Sequence, residues 1–191
     1  MRVAESAGSI HFNLRIHMTT LCRKFAYWFS LPSRWFHRLG FGVQSPWAYE
    51  FVTEALYCPY RYYLFDELDG EKSDEQLFRI SKWLKAGNVV MHCTSDIAKA
   101  YLVGPITKDK SNRSATTIYY YDAAHTDDLS NDINSGIFNE HSCVIIDGMR
   151  QSNYHMWIKL SGSNLSTTAF DMGSRGIVFF DPQRQKQIYL T

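Results

Sequence analysis

Short apolar runs alternate with segments of helical spacing through the second half of this chain, and that alternation limits the fold more than any other feature. "NVVMHCTS" from residue 88, "TTIYYYD" from 116 and "SCVIIDG" from 142 are rich in β-branched and aromatic residues and read as strands. Between and after them, "DIAKAYLV", "DLSNDINSGIF" and "SNYHMWIKL" read as helices. Strands that are apolar almost throughout are buried on both faces, which is the condition of a parallel sheet covered by helices on each side. Three further strand-like pieces, "LSTTAFDMG", "GIVFFDP" and "KQIYLT", are separated by turn residues and predict an antiparallel hairpin at one edge. The expected class is α/β: a reduced, Rossmann-like, mostly parallel sheet with a C-terminal antiparallel hairpin.

Ahead of this unit, Ser45 followed by Pro46 reads as an N-cap with proline in the first turn, and Trp47, Phe51, Val52, Ala55 and Leu56 recur at helical spacing, so a helix is predicted over 46–57. In "KSDEQLFRISKWLKAGN" Ser73 or Asp74 is the expected cap, Leu77, Ile80, Trp83 and Leu84 the buried stripe, and Gly87 the stop. Residues 1–39 form an N-terminal extension and arm, and residues 40–191 the α/β domain. The arm segment "LCRKFAYWFSLPSRWFHRL" interleaves aromatics with Arg23, Lys24, Arg34 and Arg38, and Pro32 divides it in two. It reads as a helical element that docks its aromatics and leaves its bases in water, the sharper alternative being a contact with a membrane surface or nucleic acid. The first 17 residues show little pattern before a second methionine, Met18, and translation could start at either Met1 or Met18.

At 191 residues and 45% hydrophobic content, one domain with a full core is expected. A formal net charge of +1 gives no global field to recruit polyanions, so nucleic acid is not an expected partner. Cys22, Cys58, Cys93 and Cys143 are widely spaced, with neither a zinc-ligand pattern nor a disulfide framework. With no apolar run of membrane-spanning length and no export signal, a cytoplasmic protein without integral membrane association is expected.

Ligands of open parallel sheets bind at the carboxyl ends of the strands. Two of the predicted strands end there in aspartate, Asp122 and Asp147, and His125 follows the first. Two carboxylates on adjacent strand ends can act as acid and base or hold a divalent cation, with His125 as a third catalytic group. The plainer reading makes them caps of the following helices. Other residues carry less: Gly40 and Gly42 shape a turn, Cys93 and Cys143 are small core residues, and His92, His141 and His155 have no partners at ligand spacing.

Read together, "GFGVQSPWAYEFV", "YYYDAAHTDDL", "SCVIIDGMRQS" and "FDMGSRGIVFFDPQRQKQIYL" resemble, in order and over most of residues 40–190, the motifs of a Bacteroidetes group of class I S-adenosylmethionine-dependent methyltransferase-like proteins. The resemblance implies a methyltransferase-type sheet with acceptor chemistry around Asp122, His125 and Asp147. Such folds seat the cofactor on a glycine-rich turn after the first strand and on an acid ending the second. In this chain that turn, "HCTSDIAKAY", has no glycine, and the stretch 94–115 is too short for two more strand–helix units. Gly148 also stands where the family has a second aspartate. These departures predict a degenerate member that binds or assembles instead of transferring methyl groups. The alternative is an active O- or N-methyltransferase of small molecules in which "TTIYYYD" is the second strand and Asp122 holds the ribose. Loss of two strands would bare the edge of "NVVMHC", and the N-terminal helical region or a second copy of the chain is expected to cover it.

Overall fold

A computed structural model describes residues 31–191 apart from 33, 37, 41, 68–69 and 109–115. Its helices are α1 (Pro46–Glu50), α2 (Leu64–Glu67), α3 (Lys72–Trp83), α4 (Asp96–Lys108), α5 (Thr126–Ser135) and α6 (Tyr154–Ser161), and its strands β1 (Asn88–His92), β2 (Thr117–Tyr121), β3 (Ser142–Asp147), β4 (Thr168–Asp171), β5 (Arg175–Phe179) and β6 (Gln187–Leu190). The strands form one sheet in the order β1-β2-β3-β5-β4-β6. β1, β2 and β3 are parallel neighbours, β5 is antiparallel to both β3 and β4, and β6 returns parallel to β4. The fold is therefore α/β with a mixed sheet. Where the sequence predicts an edge hairpin, β4 and β5 do form one, but it is not the edge: β6 lies outside β4 and makes the boundary of the sheet.

Alternation along the strands divides the interior in two, as a pleated sheet covered on both faces requires. Ile118, Tyr120, Cys143 and Ile145 pack with Leu77, Ile80 and Leu102 on one face, and Tyr121, Val144 and Ile146 with Leu129, Trp157 and Leu160 on the other. Between β1 and β2 the described chain contains one helix and no further strand, as the short spacing anticipates.

Three local expectations change. Ser45 caps α1 as predicted, its Oγ accepting from the Ala48 amide at 3.4 Å, but the helix widens into a π-helical stretch over Phe51–Leu56. The Thr53 hydroxyl donates to the Tyr49 carbonyl at 2.9 Å, competing for the α-helical acceptor, and the wider turn places Phe51, Val52, Ala55 and Leu56 in the core together. The N-cap of α3 is Glu71 rather than Ser73 or Asp74; Asp74 works from inside the helix, accepting from the Glu71 amide at 3.0 Å. Helix α3 ends at Trp83, and Gly87 lies beyond it, donating to the Thr116 carbonyl at 2.9 Å.

The extension 1–17 and the arm residues Arg23 and Lys24 lie outside the described residues. Arg34 is buried, 3.1 Å from the Asp171 carboxylate and within reach of the Thr191 carbonyl, which ties this part of the arm to the ends of β4 and β6. That is the side of the sheet opposite β1, so the described part of the arm does not cover the β1 edge. No helix among the described residues is long and apolar enough to cross a membrane.

Candidate functional site

The site is built where β1, β2 and β3 end side by side. Because the strands are parallel and in register, His92 at the end of β1 sits beside Tyr121 at the end of β2, and Asp122 follows at the turn. Asn153 holds the next pair of ends together. It is fully buried, and its Nδ2 donates to the Asp122 and Asp147 carbonyls, both at 2.8 Å, while its Oδ1 accepts from the Thr126 hydroxyl at 2.6 Å. The Asp122 carbonyl also accepts from the His125 amide at 3.4 Å, and one amide side chain bridging both carbonyls fixes the spacing of the two turns. Gly148 adopts φ +73°, and a Cβ there would overlap Ala123 Cβ. Gly148 is thus what allows the two turns to touch.

The two sequence-predicted aspartates have different surroundings. Asp147 is held by Arg175 through Nε–Oδ1 at 2.6 Å and Nη2–Oδ2 at 2.7 Å, and its Oδ2 also accepts from the Tyr120 hydroxyl at 2.7 Å. Arg175 is buried and its Nη1 donates to the Ser73 carbonyl and Gln76 Oε1, at 2.7 and 2.9 Å. Burial opposes the charge on Arg175, yet the Asp147 carboxylate outweighs it and holds the guanidinium pKa above its ordinary value. Burial, then the Asp147 charge, pushes the Tyr120 phenol up, so it serves as a neutral donor.

Asp122 accepts from the Thr94 amide (2.9 Å) and hydroxyl (3.2 Å) at Oδ2, and from the Ala124 amide (2.9 Å) at Oδ1, which also lies 2.6 Å from His125 Nδ1. Partial burial pushes this carboxyl up, but the hydrogen bonds from His125, Thr94 and Ala124 prevail and hold its pKa below the usual value. An ionised carboxylate only accepts, so Nδ1 must carry the proton and Nε2 of a neutral His125 keeps its lone pair. The His125 side chain is 27% exposed, and this oriented nitrogen is available to a ligand proton.

Sequence reasoning missed the acidic rim beside the dyad. The His92 ring stacks on Tyr121 at 4.9 Å, its two nitrogens lie 3.6 Å from Asp128 and Asp132, and Tyr121 donates to Asp132. The signal was present: Asp128 and Asp132 are four apart on one face of a helix that follows Asp122, and parallel register brings the residue ending β1 next to the one ending β2. His155 is exposed in the first turn of α6, and His141 lies near Glu140 at the amino end of β3, the opposite end of the strand from this rim.

A carboxylate offers about four lone-pair directions, and those of Asp122 are met from within the protein. The side chains therefore do not fit a divalent cation bridging Asp122 and Asp147, one saturated and the other paired with a guanidinium. Among the described residues no group of three or more His, Cys, Asp or Glu side chains is placed to hold a metal ion. Nor does Asp122 fit the ribose-binding role of the alternative alignment, since its acceptors are spent. Comparison of the chain with protein-family models, curated proteins and solved structures gives no match in any of the three.

Proposed function

We propose that this chain is a shortened, class I methyltransferase-like α/β protein that acts as a binding or assembly protein instead of an S-adenosylmethionine-dependent methyltransferase. One observation carries the reading: the Thr94 amide, in the turn after β1 where a cofactor of such folds would lie, already donates to Asp122 at 2.9 Å. The single helix between β1 and β2 supports it, since the acid that would hold a ribose has no strand to stand on. Each unpaired ligand group costs about 1–3 kcal/mol, so two lost anchors weaken binding by roughly 2–6 kcal/mol, or about 30-fold to beyond a thousandfold. The His125 Nε2 lone pair is the contact offered to a ligand O–H or N–H, and the outer edge of β1 is the surface on which a second copy or another protein would add.

The dyad also favours a second reading, an O- or N-methyltransferase in which His125, oriented by Asp122, deprotonates a small acceptor. Calorimetry with S-adenosylmethionine separates the two. The binding-protein reading expects no heat of binding at low micromolar cofactor. Tight one-to-one binding that disappears in Asp122→Ala would establish the enzyme reading in its place.

A further inference from the structure

From sequence the arm is expected to dock its aromatics and leave its bases in water, and at Arg34 its described end does the reverse. The described residues of 31–38 are helical. Arg34 is buried, its guanidinium 3.1 Å from the Asp171 carboxylate and its Nη1 donating to the Asp171 carbonyl at 2.5 Å, so this end of the arm is pinned to the sheet. Trp35, Phe36 and Leu39 fall on the opposite side of the helical turn and are 58%, 52% and 51% exposed. The Trp35 and Phe36 rings meet edge to face at 5.2 Å. Gly40 then turns the chain at φ +81°, and a Cβ there would overlap the Tyr49 ring, so Tyr49, itself exposed, lies against the residue that follows Leu39. A buried ion pair thus holds large apolar side chains together in water, and a patch of this kind marks a surface with a partner.

Charge identifies the partner. No Asp or Glu stands between Glu5 and Glu50, whereas Arg15, Arg23, Lys24, Arg34 and Arg38 do. Arg34 is taken up by Asp171, but Arg38 is exposed in the turn that carries the patch, its guanidinium 5.2 Å over the Tyr57 ring. A two-fold dimer through this surface would set two basic segments against each other. A nucleic acid would use ring faces for stacking, yet the edge-to-face pair offers no parallel slot for a base and Leu39 offers no ring. An anionic bilayer takes every part: the rings lie at headgroup level, Leu39 enters the acyl boundary, and the bases meet lipid phosphates and carboxylates. We propose that Trp35, Phe36, Leu39 and Tyr49, with the acid-free basic segment around them, dock the protein peripherally on an anionic membrane surface. The assignment uses none of the dyad residues and does not rest on the function proposed above.

The test is cosedimentation of the full chain with vesicles of phosphatidylcholine alone or mixed with phosphatidylserine. The mixed vesicles are expected to bind at least about tenfold more tightly than the neutral ones, with the difference shrinking as salt is raised. Trp35→Ser combined with Leu39→Ser should weaken binding to the mixed vesicles about tenfold or more. Arg38→Gln should weaken it about fivefold, the worth of one base near an anionic surface. All three positions are exposed, circular dichroism establishes that the variants are folded, and the lipid series on the unmodified chain needs no variant. No binding to the mixed vesicles, equal binding to both kinds, or an unchanged affinity in the double variant would each overturn the proposal. Two further results would do so by giving the patch another occupant: a single-stranded oligonucleotide bound more tightly than the mixed vesicles, or a dimer in size-exclusion chromatography that the double variant abolishes.

Discussion

Asp122 and Asp147 end neighbouring parallel strands, and each is followed by a tight turn into a helix, yet the two carboxylates belong to different parts of the molecule's chemistry. Asp147 faces the antiparallel strand β5, whose Arg175 is its register partner and clamps it in a bidentate pair. Asp122 has β1 on its other side, and its carboxylate is met by the exposed Thr94 turn, the Ala124 amide and its own His125. A strand ending in aspartate is therefore no more than an address. What the neighbouring strand supplies decides whether the carboxylate locks the fold or orients a reactive group.

The largest expected effect is on the locked side. Asp147→Ala leaves a buried guanidinium unpaired and should cost about 3–5 kcal/mol in urea unfolding, with Arg175→Met added to it recovering a good part of that loss. Additive losses in the double variant would mean that the pair is not coupled and would erase the contrast with Asp122. Next comes the residue common to both turns. Asn153→Ala strips a donor from the Asp122 and Asp147 carbonyls and should destabilise by about 2–4 kcal/mol, and a loss confined to one turn's amides in hydrogen exchange would show that the turns are not held as a unit.

Asp122→Asn should cost less than Asp147→Ala, with a definite pH dependence. Its folded pKa is depressed, so its stabilisation is present above the unfolded value of about 3.9 and is lost as pH falls through the lower folded value. The stability gap between the parent and Asp122→Asn should hold at neutral pH and close on acidification below about pH 4, as read by denaturant midpoints in a pH series. A gap that widened there would reverse the assignment. Smallest of all, His125→Ala should cost about 1 kcal/mol, the net worth of one hydrogen bond, because the Asp122 carboxylate keeps its donors from Thr94 and Ala124. A loss on the scale of Asp147→Ala would move His125 into the structural class.

The layer architecture was legible because near-continuous apolar runs such as "SCVIID" allow few alternatives, and the one-crossover spacing between β1 and β2 followed from counting residues. The position of β6 was not, since "KQIYLT" can pair on either side of a hairpin, and contacts distant in sequence, Tyr189 on Phe170 and Arg34 on Asp171 and Thr191, hold it outside β4. The positions of Asp122, His125 and Asp147 at the strand ends were readable, but their division of labour was not. Arg175 lies 28 residues beyond Asp147 and reaches it only through antiparallel pairing, a relation that no local pattern encodes. Asn153 carries no distinguishing pattern in sequence, and its two-turn bridge rests on Gly148 letting the turns come together.

The contrast between the two aspartates reduces to where one proton sits on His125. Long-range ¹H–¹⁵N NMR of the full chain, at a pH where the imidazole is neutral, reads that proton directly. The expected result is the Nδ1–H form in the parent, with Nε2 unprotonated and open to a ligand, and a shift of the population toward Nε2–H in Asp122→Asn. A parent His125 already in the Nε2–H form, unchanged by Asp122→Asn, would contradict it, because the carboxylate would then orient nothing and Asp122 would be as structural as Asp147.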